Sequence, residues 1–209
     1  EIIISFTYSE KMNAWSNANL TISPSGKLPS PVCSTSDSQS YQCSIDTSSL
    51  GSSADGPYTF TLTGTDQYGN QMYAPANLTG VTVDRTDPSV TFNSVTPATV
   101  KASTASLTVI FTASEPLGEN PVVTIGSELS ANTPSNVSGL QYTYIFNDLS
   151  LLSDGYKTVG VQVTDIRGNT KDYTYGDQIT VDRTPPAVLS STVAPSIANE
   201  ETASVTLNF

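Results

Sequence analysis

Acidic side chains recur in this chain at a spacing that could hold a cation. Glu10, Asp66 and Asn70 are followed by Glu115, Asp165 and Asn169, and the phrase VTVDRTDPSV at Val81–Val90 returns 98 positions later as ITVDRTPPAV at Ile179–Val188. Mid-chain this gives four carboxylates, Asp84, Asp87, Glu115 and Asp165, and one amide, Asn169. Oxygen groups of this kind are ligands for a hard cation such as calcium, which takes roughly six to eight of them. The same residues have a second use. Asp-x-x-Gly-Asn, present at 66–70 and 165–169, is a good hairpin turn in its own right, with Asp bonding the backbone and Gly or Asn accepting positive φ. Arg85 and Arg167 could then pair with neighbouring carboxylates as solvated ion pairs of small energy. The cation reading requires the acidic residues to meet, and that depends on the elements that carry them.

Composition narrows the chemistry. The chain has no histidine, 8 basic against 19 acidic residues and a formal net charge of -11. Such a surface is a poor partner for nucleic acid, whose phosphates are bound by clustered Lys and Arg. Without imidazole, and without a Gly-x-Ser-x-Gly elbow or a paired-carboxylate motif, nothing in the sequence points to an enzyme. Ser and Thr make up more than a quarter of the chain, whereas charged residues are 13%; this is the profile of β-rich, neutral-polar extracellular modules. No run approaches the roughly 20 apolar residues that span a bilayer, and the first residues lack the order of a secretion signal.

The two cysteines, Cys33 and Cys43, lie in one polar segment, VCSTSDSQSYQC. At this separation they could clip two adjacent strands across their turn in an oxidising compartment, worth about 2–3 kcal/mol for so short a loop. Two free thiols are the alternative.

The repeated phrase belongs to a longer repeat. Thr91–Phe111 matches Leu189–Phe209 without a gap, pairing Pro97 with Pro195, Thr104–Ser106 with Thr202–Ser204, and Phe111 with Phe209. IIISFTYSEKMN near the start likewise matches LTVIFTASEPLG, with Phe6 against Phe111. These matches give a first copy at 1–86 lacking its first strand, a complete copy at 87–184, and the first strands of a third at 185–209. A unit of about a hundred residues suits a two-sheet immunoglobulin-like sandwich. Leu107, Val109 and Phe111 alternate with Thr108, Ile110 and Thr112, and Val159, Val161 and Val163 with other residues, the period of half-buried strands. Strands are expected near 89–96, 105–113, 120–126, 139–147, 156–165 and 173–183. The fold class is all-β, tandem immunoglobulin-like β-sandwiches arranged end to end. In such a sandwich the entry to the first strand and the loops after the second and penultimate strands share one end, which would bring Asp84, Asp87, Glu115, Asp165 and Asn169 together. The Thr-x-Pro of the phrase ends a strand and stiffens the junction.

SEPLGENPVVTIG, DGYKTVGVQVTDIRGN and ITVDRTPP together resemble the bacterial Ig-like repeats of large surface adhesins and cell-surface fibre proteins. The resemblance covers nearly all of the chain. It implies a non-enzymatic structural or adhesive stalk of a secreted or surface-anchored bacterial protein, at the cell surface or outside the cell. Its partners would be neighbouring Ig-like repeats and identical chains in a fibre, the latter with strands supplied between chains. It also implies calcium at acidic junctions. Pro185 stands where Asp87 stands in the first phrase and removes one ligand there. Copy one departs from the pattern between Asn13 and Thr47, a Ser-rich stretch carrying the cysteines. That departure opens a second reading, a glycan- or protein-binding module acting through this part or through Trp15, which is otherwise a core residue of a third strand. Gly26-Lys27 lacks the rest of a phosphate loop and reads as a turn. Asn19, Asn77 and Asn136 sit in Asn-x-Ser/Thr sequons.

Overall fold

The computed structural model describes residues 1–14, 19–194 and 206–208. These residues form strands and loops with short 3-10 turns, Ser52–Ala54 among them. No helix among them is long and apolar enough to cross a membrane. Two compact units result: residues 1–88 with 164–171, and residues 89–163 with 172–209.

The first unit contains β1 (Ile2–Thr7), β2 (Leu20–Ser23), β3 (Val32–Thr35), β4 (Ser40–Ile45), β5 (Gly56–Leu62) and β6 (Ala76–Val83). They pair as two three-stranded sheets, β1-β4-β3 and β2-β5-β6. Alternation decides which faces turn inward. Tyr41, Cys43 and Ile45 on β4 and Tyr58, Phe60 and Leu62 on β5 are buried, while Ser40 and Gln42 between them are exposed. Ile4, Leu20, Leu28, Ala54 and Val83 complete the core. Each large apolar side chain fully buried in this way contributes roughly 1.5–3 kcal/mol.

The second unit contains β7 (Val90–Thr96), β8 (Thr99–Val100), β9 (Leu107–Ala113), β10 (Val122–Ile125), β11 (Leu129–Ala131), β12 (Asn136–Ser138), β13 (Gln141–Phe146), β14 (Gly155–Lys157), β15 (Val159–Thr164), β16 (Thr170–Thr174) and β17 (Ile179–Val181). Its sheets run β12-β13-β9-β7, β11-β10-β15-β16 and β14-β17-β8, the last with β17 and β8 parallel. Leu107, Val109 and Phe111 on β9 and Val159 and Val163 on β15 have no exposed surface. The Phe111 ring stacks on Tyr142 and Tyr144, at centroid distances of 5.5 and 6.0 Å. The Tyr144 hydroxyl donates to the Pro121 carbonyl at 2.5 Å, which satisfies the one polar atom this ring brings into the core.

The main strands expected in this unit are present, with one difference. The stretch 173–183 is two strands in different sheets, β16 ending at Thr174 and β17 beginning at Ile179. Gly176 and Asp177 lie between them and interrupt the apolar run. Strands β8, β11, β12 and β14 have two or three residues each, too few for alternation to reveal them.

The two units share a register. Phe6 faces Tyr41 across β1–β4 as Phe111 faces Tyr142 across β9–β13. Farther on, β18 (Thr192–Ala194) and β19 (Thr206–Asn208) form an antiparallel pair in which Val193 faces Leu207 and Ala194 faces Thr206. In the β7–β9 pair Val95 faces Val109 and Thr96 faces Thr108, the same register displaced by 98 positions. Trp15, Pro195, Thr202–Ser204 and Phe209 lie outside the described residues.

Candidate sites: acidic turns and a linker clamp

The Asp-x-x-Gly-Asn segments are closed in the same way in both units. At 165–169 the Asp165 Oδ1 accepts the main-chain N–H groups of Arg167 at 2.7 Å and Asn169 at 2.9 Å, and its Oδ2 accepts the Asn169 side-chain amide at 2.7 Å. At 66–70 Asp66 Oδ1 accepts the N–H groups of Tyr68 and Asn70, both at 2.8 Å, and Oδ2 accepts the Asn70 amide at 2.7 Å. The two aspartates are the buried charged residues among those described, at 2% and 6% exposure. Burial works to raise the Asp165 pKa, but the Asn169 amide and the surrounding N–H groups outweigh it and hold the carboxyl below its ordinary value. The Asn70 amide is the main cause of the same lowering at Asp66. Each carboxylate is thus a turn cap first, and it stays ionised.

The remaining expected ligands divide. Asp84 and Asp165 both belong to the first compact unit, and their carboxylate oxygens lie within 4.8 Å of one another. The Asn169 amide also donates to the Asp84 main-chain carbonyl at 3.2 Å. Asp87 is exposed and pairs with Lys171 at 3.5 Å, a solvated ion pair of little energy. Glu115 follows β9 in the second unit. In the first unit Glu10, Asp66 and Asn70 line one cleft with Tyr73 and Gln71. A carboxylate has about four lone-pair directions, and the three N–H groups named above leave Asp165 one, on Oδ2, for a cation.

A second device, built on residues the sequence reading passed over, explains the acid and base of the repeated phrase. Asp55 accepts the main-chain N–H of Arg85 at 2.6 Å and the hydroxyl of Thr86, while the Arg85 side chain donates to the carbonyls of Leu50 at 3.2 Å and Ser48 at 3.3 Å. In the second unit Asp154 accepts the N–H of Arg183 at 2.8 Å and the hydroxyl of Thr184 at 2.5 Å, and the Arg183 guanidinium donates to the Leu149 carbonyl at 2.7 Å. The Thr184 hydroxyl and the Arg183 N–H hold the Asp154 carboxyl below its ordinary value. The partner of Arg85 is therefore main-chain carbonyl, with a carboxylate meeting its backbone, rather than the surface ion pair expected. Arg167 similarly meets Asp165 through its main-chain N–H. Each clamp aspartate precedes a glycine that opens a strand: Gly56 sits opposite Val83, and Gly155 opposite Val181. Their φ values of 132° and 124° lie where a side chain is strained. The detectable signal was the Asp-Gly pair itself, which occurs at 55–56 and again at 154–155.

Cys33 and Cys43 sit directly opposite each other on β3 and β4 with Cα atoms 4.0 Å apart, and they form a disulfide. Cys43 is fully buried within the first core. Of the sequon asparagines, Asn77 lies on β6 and Asn136 on β12, both exposed.

The family model for the bacterial Ig-like domain (group 3) matches residues 140–206, and the chain contains an Ig-like domain of that bacterial kind. No curated protein matches the chain. Among solved structures, the Bacteroides ovatus mixed-linkage glucan utilization locus SGBP-B in complex with a mixed-linkage heptasaccharide is similar at 18% identity and a TM-score of 0.25, over 87% of this chain. The chain spans 42% of the length of that protein.

Proposed function

We infer that the chain is a structural and adhesive stalk segment of a secreted or surface-anchored bacterial protein. In this reading tandem Ig-like repeats at 1–86, 87–184 and 185–209 run end to end as an extended, non-enzymatic fibre. The recurrence of the clamp carries the inference. Asp55, Arg85 and Thr86 are matched residue for residue by Asp154, Arg183 and Thr184. A device present once per repeat serves the array, whereas a catalytic group is needed once. The clamp also ties the start of each linker to the module it leaves, which favours a stiff junction over a loose tether. The test is small-angle scattering of the 209-residue chain. A compact domain of this length has a radius of gyration of about 17 Å, and a stalk segment gives a value well above it; a value at the compact figure overturns the reading.

Calcium belongs to this proposal as a stiffening cation. Asp84 and Asp165 would hold it, with Glu115 and Asn169 in the set proposed from the sequence and water completing the shell. Lys171 competes for Asp87 and weakens its claim.

A second reading, a glycan- or protein-binding module, is favoured by one observation. The Ser-rich part of the first unit forms an open trough along β1, β4 and β3, lined by Ser5, Thr7, Ser34, Thr35, Ser40 and Gln42. Hydroxyl and amide groups in a row suit sugar hydroxyls. Binding of the chain on a glycan array, lost in Gln42→Ala with the fold intact, would support this reading over a purely structural role.

A further inference from the structure

Strand β1 is an edge strand, paired with β4 on one side, and no strand among the described residues pairs with its other side. Its counterpart β9 is paired on both sides, with β13 and with β7. Strand β6 differs in the same sense: it pairs with β5 alone, whereas β17 takes β14 on one side and β8 in parallel on the other. In the second unit one continuous segment, Val90–Val100, fills both places, lying antiparallel on β9 and then parallel on β17. It contributes Val95 and Val100 to the core, with Val90 and Phe92 packed against it.

The first unit bears the mark of lacking such a segment. Among the described residues its core cluster has 10 buried members against 18 in the second unit. Ile2, which aligns with the fully buried Leu107, is only partly buried, and Val81 is likewise only packed against the core. Ile3 on the same strand is 59% exposed. An edge strand beside an incompletely covered apolar face is a template for another strand.

We propose that the first unit is an acceptor for an extended peptide segment with the sequence pattern of Val90–Val100, which pairs antiparallel along β1 and continues in parallel along β6. The occupant needs apolar side chains at the positions of Val90, Phe92, Val95 and Val100, and a change of sheet between the last two. Main-chain hydrogen bonds hold it; the apolar residues set its register.

The test uses amide hydrogen exchange of the 209-residue chain, read at Ile2–Thr7. Two probes are compared with the unmodified chain: a synthetic peptide of the sequence Ser89–Val100, and a chain in which the sequence Asp87–Ala105 is joined directly ahead of Glu1, which reproduces the loop before β9. The graft is expected to slow exchange of the β1 amides by at least about tenfold, and the peptide to do the same in a saturable way. A peptide carrying Phe92→Asp and Val95→Asp should lose the effect. Unchanged β1 exchange in the grafted chain overturns the proposal. So does protection of β1 in the unmodified chain that rises with protein concentration, because the occupant would then be the β1 edge of a second copy.

Discussion

Arg183→Met tests whether the clamp has energetic weight. The substitution removes the guanidinium that donates to the Leu149 carbonyl at 2.7 Å and retains an apolar stem of similar reach. The carbonyl is not orphaned, because the Leu152 N–H also donates to it at 3.1 Å. The loss is therefore one charge-assisted bond at a half-buried site, about 1 kcal/mol, with no added cost for an unsatisfied buried group. For a unit of roughly 100 residues this lowers the melting midpoint by about 4–8 °C. Arg85 is exposed and its two bonds are longer, 3.2 and 3.3 Å, so Arg85→Met should lower the midpoint of its own unit by less. Calorimetry gives the midpoints, and hydrogen exchange at β14 and β17 assigns the Arg183 effect to the second unit. A shift under about 1 °C for Arg183→Met, or a larger one for Arg85→Met, would refute the reasoning that ranks the two clamps by burial and bond length.

Gly155→Ala should destabilise the second unit by about 1–3 kcal/mol in a denaturant titration, because φ of 124° is strained for any residue with a Cβ. Reducing the Cys33–Cys43 disulfide should lower the stability of the first unit by about 2–3 kcal/mol, seen as a lower midpoint with reductant and no change at β14 or β17. Asp66, Asp154 and Asp165 have folded pKa values below their unfolded ones. Their contribution is therefore present above the ordinary carboxylate pKa and is lost as pH falls through the lowered values, so the midpoint should hold from pH 7 to about 4 and fall below that. Calcium should raise the thermal midpoint and narrow the length distribution in scattering relative to chelator, and Asp84→Ala should abolish both effects if that carboxylate is a ligand.

The sequence made the repeat and its strands legible because alternation and register leave a period: Leu107, Val109 and Phe111 read as an inward face and are one. The acidic turns were legible for a related reason, since Asp-x-x-Gly-Asn is a local motif whose hydrogen bonds close within five residues. The clamp was not. Asp154 and Arg183 are 29 positions apart, and neither position has periodicity or a local motif to mark it; their meeting follows from the pairing of β14 with β17. Pairing of Arg85 with carboxylate was a charge-based expectation, and the geometry replaced it because a planar guanidinium next to uncapped loop carbonyls satisfies them at short range. The division of 173–183 into two strands was hidden for the opposite reason, a continuous-looking apolar pattern interrupted only by Gly176 and Asp177.

The parallel pairing of β8 with β17 has a mechanical consequence. One strand lies near the beginning of the second unit and the other at its end, so a pull on the two ends draws them in opposite directions along their length. The bonds from the Thr180 N–H to the Ala98 carbonyl and from the Asp182 N–H to the Val100 carbonyl, both 2.9 Å, then carry the load side by side and must give way together. A hairpin pulled open from one end breaks its bonds in turn. The second unit is thus braced in shear, with the Arg183–Asp154 contact immediately beyond the brace, and the first unit would gain the same resistance to force only with a strand seated in parallel on β6.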